Sequence, residues 1–240
     1  MKHVLLLLFF ALGLGLARAE DAPKPPDPNA PNILVALQMV TLPRATALPI
    51  IRDLLDPAKV EDGVTRAQRL LDEGTAKLAG WPMVTIQNGN RGTIESIDEF
   101  RYATDYEPSA VNFSVADGKA KVDPSPLGGE EFLAIPTQFM TENLGVSLEV
   151  EPTICSDGQH LFMNLMPQHA RLKSMNKVTV THEKTGEKAS VEQPEIDRMK
   201  TTTALTVKSG QHLLLGVYTP PEPADTLELF ILRAVIQPTP

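Results

Sequence analysis

The sequence predicts a mainly β chain with a small α/β part at its N-terminal end, the β part an antiparallel sheet domain. Three features point to it. Short runs rich in Val, Ile, Thr and Leu recur from Trp81 onward, separated by Gly, Asn, Asp and Pro. Two earlier segments space their apolar residues at helical intervals. One continuous apolar run, Asn32 to Leu42, precedes them and suits a buried strand.

The first residues predict export. Lys2 and His3 make a basic start, Val4 to Ala17 is an apolar run of 14 residues, and Ala17-Arg18-Ala19 places small residues at the −3 and −1 positions of a cleavage site. That is the pattern of a secretory signal peptide over residues 1–19. The run is short of the roughly 20 residues of a membrane-spanning helix. Residues 20–31, with five prolines in twelve positions, read as an extended Pro-rich linker. The folded domain is expected over 32–240, as a mixed α/β entry at 32–80 and antiparallel β structure at 81–240.

Within the entry, Thr46 to Asp56 carries Leu48, Ile51, Leu54 and Leu55 at helical spacing. Val64 to Gly80 does the same with Val64, Ala67, Leu70, Leu71 and Leu78, with an end expected near Glu73, where Gly74 weakens the helix. Later, Val146, Leu148 and Val150 alternate with Ser147, Glu149 and Glu151, the pattern of a strand with one buried face. The stretch from Asp123 to Asn143 fits neither period and reads as a long loop. The last run, Leu227 to Ile236, is apolar on both faces: Leu227, Leu229 and Ile231 on one, Phe230 and Leu232 on the other. It has to be covered twice, so it is expected to be central in its sheet or to form a subunit or wall contact.

Asn88-Gly89, Asp157-Gly158 and Ser209-Gly210 are expected as hairpin turns joining antiparallel partners. Such dipeptides suit backbone at positive φ, as a two-residue hairpin demands. A phosphate-binding loop is the alternative, but it needs a helix start behind its glycines, and strand-like residues follow all three. Other chemistry is sparse. His160, His169, His182 and His212 lack metal-ligand spacing, Cys155 is the single cysteine, and no Gly-x-Ser-x-Gly elbow occurs. Asp98 and Glu99 lie on opposite strand faces, and Glu149 and Glu151 fit a solvated outer face. No enzymatic activity, metal or cofactor is expected. The net charge of −8 deepens once Lys2 and Arg18 leave with the signal peptide, which gives no footprint for nucleic acid. With one cysteine, no internal disulfide can form.

The order of the β segments resembles the bacterial secretin family. In "LAGWPMVTIQNGNRGTIESIDEFRYAT", Pro82, Val84, Gln87, Asn88, Gly89, Thr93, Ile94, Phe100 and Tyr102 stand where the family has a Pro-containing strand, an Asn-Gly turn and a second strand. In "ENLGVSLEVEPTICSDGQHLFMNLMPQ", Gly145, Val146, Leu148, Val150, Pro152, Ile154, Asp157, Gly158 and Leu165 match a hairpin of the family. "MKTTTALTVKSGQHLLLGVY" and "TLELFILRAVIQP" are similar to its closing strand pair and terminal strand, although Val217 replaces the second Gly of a Leu-Gly-Gly. The resemblance implies an antiparallel secretin-like β-sheet domain of the type II/III secretion systems, in a short form lacking the periplasmic ring modules. It also implies a subunit or accessory of a secretion or pilus assembly, with homo-oligomers or other envelope components as partners and a periplasmic or outer-membrane location. The alternative from another class is a soluble periplasmic β module that binds protein or glycan without forming a pore.

Overall fold

The fold is organised by its first strand. β1 (Asn32–Pro43) buries one face along Ile33 to Met39 and the other at Val40 and Leu42, where its residues are apolar. Ile33, Val35, Leu37 and Met39 point one way; Val40 and Leu42 point the other. After it come α1 (Arg44–Leu55), α2 (Val60–Asp72), β2 (Lys77–Gly80), β3 (Met83–Gln87), β4 (Gly92–Pro108) and the short strands β5 (Phe113–Ala116) and β6 (Lys119–Val122). β7 (Ala134–Ile154), β8 (His160–Thr181), β9 (Lys188–Lys200), β10 (Thr203–Lys208), β11 (His212–Tyr218) and β12 (Thr226–Ile236) complete the chain. The computed structural model describes residues 30–108, 113–116, 119–122, 134–181, 188–220 and 225–238. The expected signal peptide and most of the linker lie outside them.

Two five-stranded sheets form. The first has the order β11-β12-β1, with β2 and β3 both on the free side of β1. β1 and β12 pair antiparallel along their whole length, from Ile33↔Ile236 to Pro43↔Thr226. The N-terminal entry and the C-terminal strand are therefore one sheet, not successive parts of the chain. The second sheet has the order β4-β7-β8, with β10 and β9 along the two halves of β8. β5 and β6 pair with each other.

The sheets pack face to face. Their shared core takes Ile33, Val35, Leu37 and Met39 from β1, Phe230 and Leu232 from β12, Val146, Leu148 and Val150 from β7, and Leu161, Met163 and Leu165 from β8. On its other face the first sheet carries the helices. Ala47, Ile50 and Leu54 of α1, and Val60, Ala67 and Leu70 of α2, recur every three or four residues and cover Val40, Leu42, Leu227, Leu229 and Ile231. The result is three layers: helices, sheet, sheet.

Several expectations change. α2 stops at Asp72, beside the expected end near Glu73, and Leu78 belongs to β2. The expected loop at 123–143 is strand from Ala134 onward, because β4 supplies Ala134 to Asn143 with a partner that local sequence does not reveal. Residues 123–133 lie outside the described residues. β12 sits between β1 and β11, and its apolar faces are filled by the helices and by the second sheet. Leu227, Leu229, Phe230, Ile231 and Leu232 are at most 6% exposed, so this chain itself covers the expected subunit or wall contact.

Candidate assembly surface

The two ends of the sandwich differ. At one end lie three glycine-bearing turns, two of which tie the sheets together. Asn88 and Gly89 do not close a hairpin: β3 pairs with β1 in the first sheet, and β4 pairs with β7 in the second. The turn is a crossover, and its polar atoms fasten it. Asn88 N–H donates to Pro31 O at 3.0 Å, Gly89 N–H donates to Pro152 O at 2.9 Å, and Ile154 N–H donates to Asn88 Oδ1 at 2.8 Å. Ser209-Gly210 likewise leads from β10 in the second sheet to β11 in the first. Gly210 N–H donates to Ala234 O at 2.7 Å, and Ser209 N–H donates to Gln159 O at 2.8 Å. Only Asp157-Gly158, of the three, joins strands that pair with each other, β7 and β8. Turn chemistry specifies positive φ, which Gly89, Gly158 and Gly210 adopt, but not which strands will pair.

At the other end the second sheet splits. β7 and β8 pair from Ile154↔Leu161 up to Gly145↔Ala170 and no further. β7 continues with β4 as far as Pro108↔Ala134, and β8 continues with β9 as far as Thr181↔Lys188. Beyond the fork the strands are therefore two separate two-stranded ribbons. No ladder joins the ribbons among the described residues, although Arg198 of β9 reaches Glu142 of β7 at 2.6 Å. A two-stranded ribbon is marginal in water by itself, and its unpaired N–H and C=O groups are templates for another strand.

The ribbon side chains suit a partially covered setting. On the first, Phe100 and Tyr102 stack with centroids 6.0 Å apart, Tyr102 Oη donates to Met140 Sδ, and the Arg101 guanidinium lies 4.4 Å over the Phe139 ring. Ile135, Phe139 and Met140 are nearly half exposed. On the second, Leu172, Met175 and Val178 are exposed beside polar pairs. There Lys173 Nζ, first, and Asn176 donate to Glu195 and hold its carboxyl below the ordinary range.

The fork has a polar root. Glu228 of β12 is fully buried on the face toward the second sheet. His169 Nδ1 lies 2.8 Å from its Oε1, and an Arg171 guanidinium nitrogen lies 3.7 Å from its Oε2. Arg171 also reaches Asp197 of β9, at 3.5 Å. Thr41 Oγ1 of β1 donates to Glu228 Oε2 at 3.4 Å. One buried carboxylate thus ties the first sheet to the base of the second ribbon. Sequence reasoning missed it, although a lone acid within an apolar strand, with His169 and Arg171 on one face of another, was a usable signal. Glu149 and Glu151 flank Arg91 at 3.0 and 3.2 Å, an exposed pairing of modest worth. Cys155 is a free thiol, half-buried. Among the described residues no helix is long and apolar enough to cross a membrane, which says nothing of a β-barrel.

The sequence matches no curated protein. Among solved structures the chain is similar to the secretin InvG of the Salmonella SPI-1 type III secretion injectisome, with 12% identity over 88% of this chain and 66% of that one, at a TM-score of 0.45. It is also similar to the type II secretion system secretin GspD of E. coli, with 12% identity over 87% of this chain and 50% of that one, at a TM-score of 0.41. A Klebsiella pneumoniae type II secretion system outer membrane complex gives 10% identity over 87% of this chain and 40% of that one, at 0.38. The chain thus spans less than two thirds of the length of these structures. Residues 70–220, more than half of the chain, match the family model Secretin, bacterial type II and III secretion system protein. The chain belongs to the secretin family.

Proposed function

We propose that the chain is a subunit of a protein secretion or pilus assembly at the bacterial outer membrane, and that its two ribbons are the strands it contributes to a wall shared with other copies. In this reading residues 1–19 direct export, and the protein acts by assembly, without enzymatic chemistry or a cofactor. The observation that carries it is the fork: strands of 17, 21, 22 and 13 residues leave a well-packed sandwich as two ribbons whose outer edges have no ladder partner among the described residues. A neighbour's strand would satisfy those edges, and repetition around an axis would leave none unpaired.

The test is to remove one ribbon. In the second sheet Asp98 pairs with Leu144, so residues 99–143 can be replaced by an Asn-Gly turn between them. The shortened chain is expected to keep its cooperative melting, because the shared core lies on the other side of the fork. Its native mass is expected to fall from that of an oligomer to that of one copy. A shortened chain that keeps the oligomer mass of the full chain would refute the proposal.

A further inference from the structure

The edge of the first sheet is interrupted beside the second. β2 ends at Gly80 and β3 begins at Met83, so Trp81 and Pro82 between them belong to no strand. A cleft of about 470 Å³ opens at this break, with Trp81 and Pro82 on the first sheet and Ile94, Glu95 and Ser96 of β4 on the second. From there it runs inward along one row of the second sheet. Ser96 pairs with Val146 and Val146 with His169, and residues paired across neighbouring strands share a face. All three line the cleft.

His169 supplies the chemistry of the inner end. It is 8% exposed, and its Nδ1 lies 2.8 Å from Oε1 of the fully buried Glu228. The carboxylate accepts the Nδ1–H bond, which orients the ring and leaves Nε2 as an acceptor. Nε2 has no hydrogen-bond partner among the described residues. Interior polar groups are ordinarily partnered, so a partnerless ring nitrogen at the inner end of a cleft is placed to meet a ligand.

The lining selects the chemistry of that ligand. Glu95, Ser96 and His169 Nε2 all accept hydrogen bonds, and Trp81, 48% exposed, offers an aromatic face. Glu95 and the net charge of −8 disfavour an anion. A cation would find a single carboxylate in the lining, Glu95, which is exposed, where an ion pair is worth little. A neutral sugar meets each condition: the C–H face of a pyranose ring stacks on an aromatic side chain while its hydroxyls donate around the rim. The volume lies within the range of small-molecule sites, roughly 300–1,000 Å³. We propose that this cleft binds a neutral sugar, its ring stacked on Trp81 and its hydroxyls donating to His169 Nε2 and Glu95. The site belongs to the sandwich and does not depend on the ribbons or on assembly.

Trp81 is the single tryptophan of the chain, so the intrinsic fluorescence of the full-length protein reports this cleft. The probes are chitobiose and maltose, an N-acetylated and a plain neutral disaccharide, with tetramethylammonium chloride and inorganic phosphate as a cation and an anion. One of the two sugars is expected to shift the emission saturably at roughly millimolar concentration, and which one does so names the glycan class. Glu95→Ala, at an exposed position, is expected to keep wild-type melting and to raise the half-saturating concentration about fivefold or more. Trp81→Ala is expected to abolish the heat of binding in calorimetry. An unsaturable drift with both sugars, or saturation by tetramethylammonium or phosphate in their place, overturns the proposal. Sugar binding that survives Trp81→Ala unchanged places the sugar elsewhere and also overturns it. The native mass of the same samples tests the assembly separately, since neither result on the sugar alters it.

Discussion

Gly145 and Gly89 both hold positive φ, and the structure separates the reasons. At Gly89 (φ 79°) an added Cβ meets nothing within 4 Å, so replacement strains only the backbone. At Gly145 (φ 125°), where the ladder between β7 and β8 ends, a Cβ would lie 2.2 Å from Ser96 O. Gly89→Ala is expected to cost about 1 kcal/mol, and Gly145→Ala about 3 kcal/mol or more, in urea unfolding. Equal losses would contradict the close approach at the fork. Glu228 is judged by the same measurement: Glu228→Ala strips His169 and Arg171 of their buried partner and is expected to cost about 3 kcal/mol or more. A loss below about 1 kcal/mol would mean that the cluster does not hold the sheets together. Asp157 supplies a pH signature. Its carboxylate accepts the Gln159 N–H and then the His160 N–H and ring, which lower its pKa from 3.8 to about 2. A lowered folded value favours the folded state above the unfolded pKa, and that contribution fades as pH falls from about 4 through 2. An NMR titration of this carboxyl is expected to give a midpoint near 2, and Asp157→Asn a flatter stability profile across that window. A midpoint near the ordinary 3.8 would show that the turn does not bind the charge.

Elements with a strong local pattern were legible in the sequence. β1, α1, the core half of β7 and β12 announce themselves by apolar spacing, because burial on a known face dictates residue type at most steps. The distal half of β7 did not. Pro136, Thr137 and Gln138 carry no alternation, and their strand state comes from β4, where Pro136 and Gln138 pair with Tyr106 and Asp105. The three turns were expected as hairpins, but two join different sheets, since pairing is settled by long-range packing on β1 and β8. Glu228 was hidden because a charged residue in a strand ordinarily faces water, and only the opposed sheet supplies His169 and Arg171. β12 gives the element-scale test. Phe230 packs against the second sheet and Ile231 against the helices, both essentially without exposure. Phe230→Lys and Ile231→Lys are each expected to lower stability by several kcal/mol, since neither face offers the ammonium water. Wild-type melting of either variant would show that one face of β12 is open.

The whole molecule has one fastened end and one open end. The turns at Asn88 and Ser209 stitch the sheets where β1 begins and β12 finishes, while Gly145 and the Glu228 cluster mark the fork from which the ribbons leave. A packed sandwich whose two ribbons each have an outer edge without a ladder partner among the described residues is suited to the strand addition proposed above. In the proposed assembly neighbours pair with the outer edges of β4 and β9, and backbone hydrogen exchange reads those edges directly. Amides over residues 99–106 and 190–198 are expected to exchange slowly in the assembled protein. After mild dissociation they should exchange near unfolded rates, with the amides of β1 and β12 protected in both states. Ribbon amides that exchange equally fast in assembled and dissociated protein would contradict the claim.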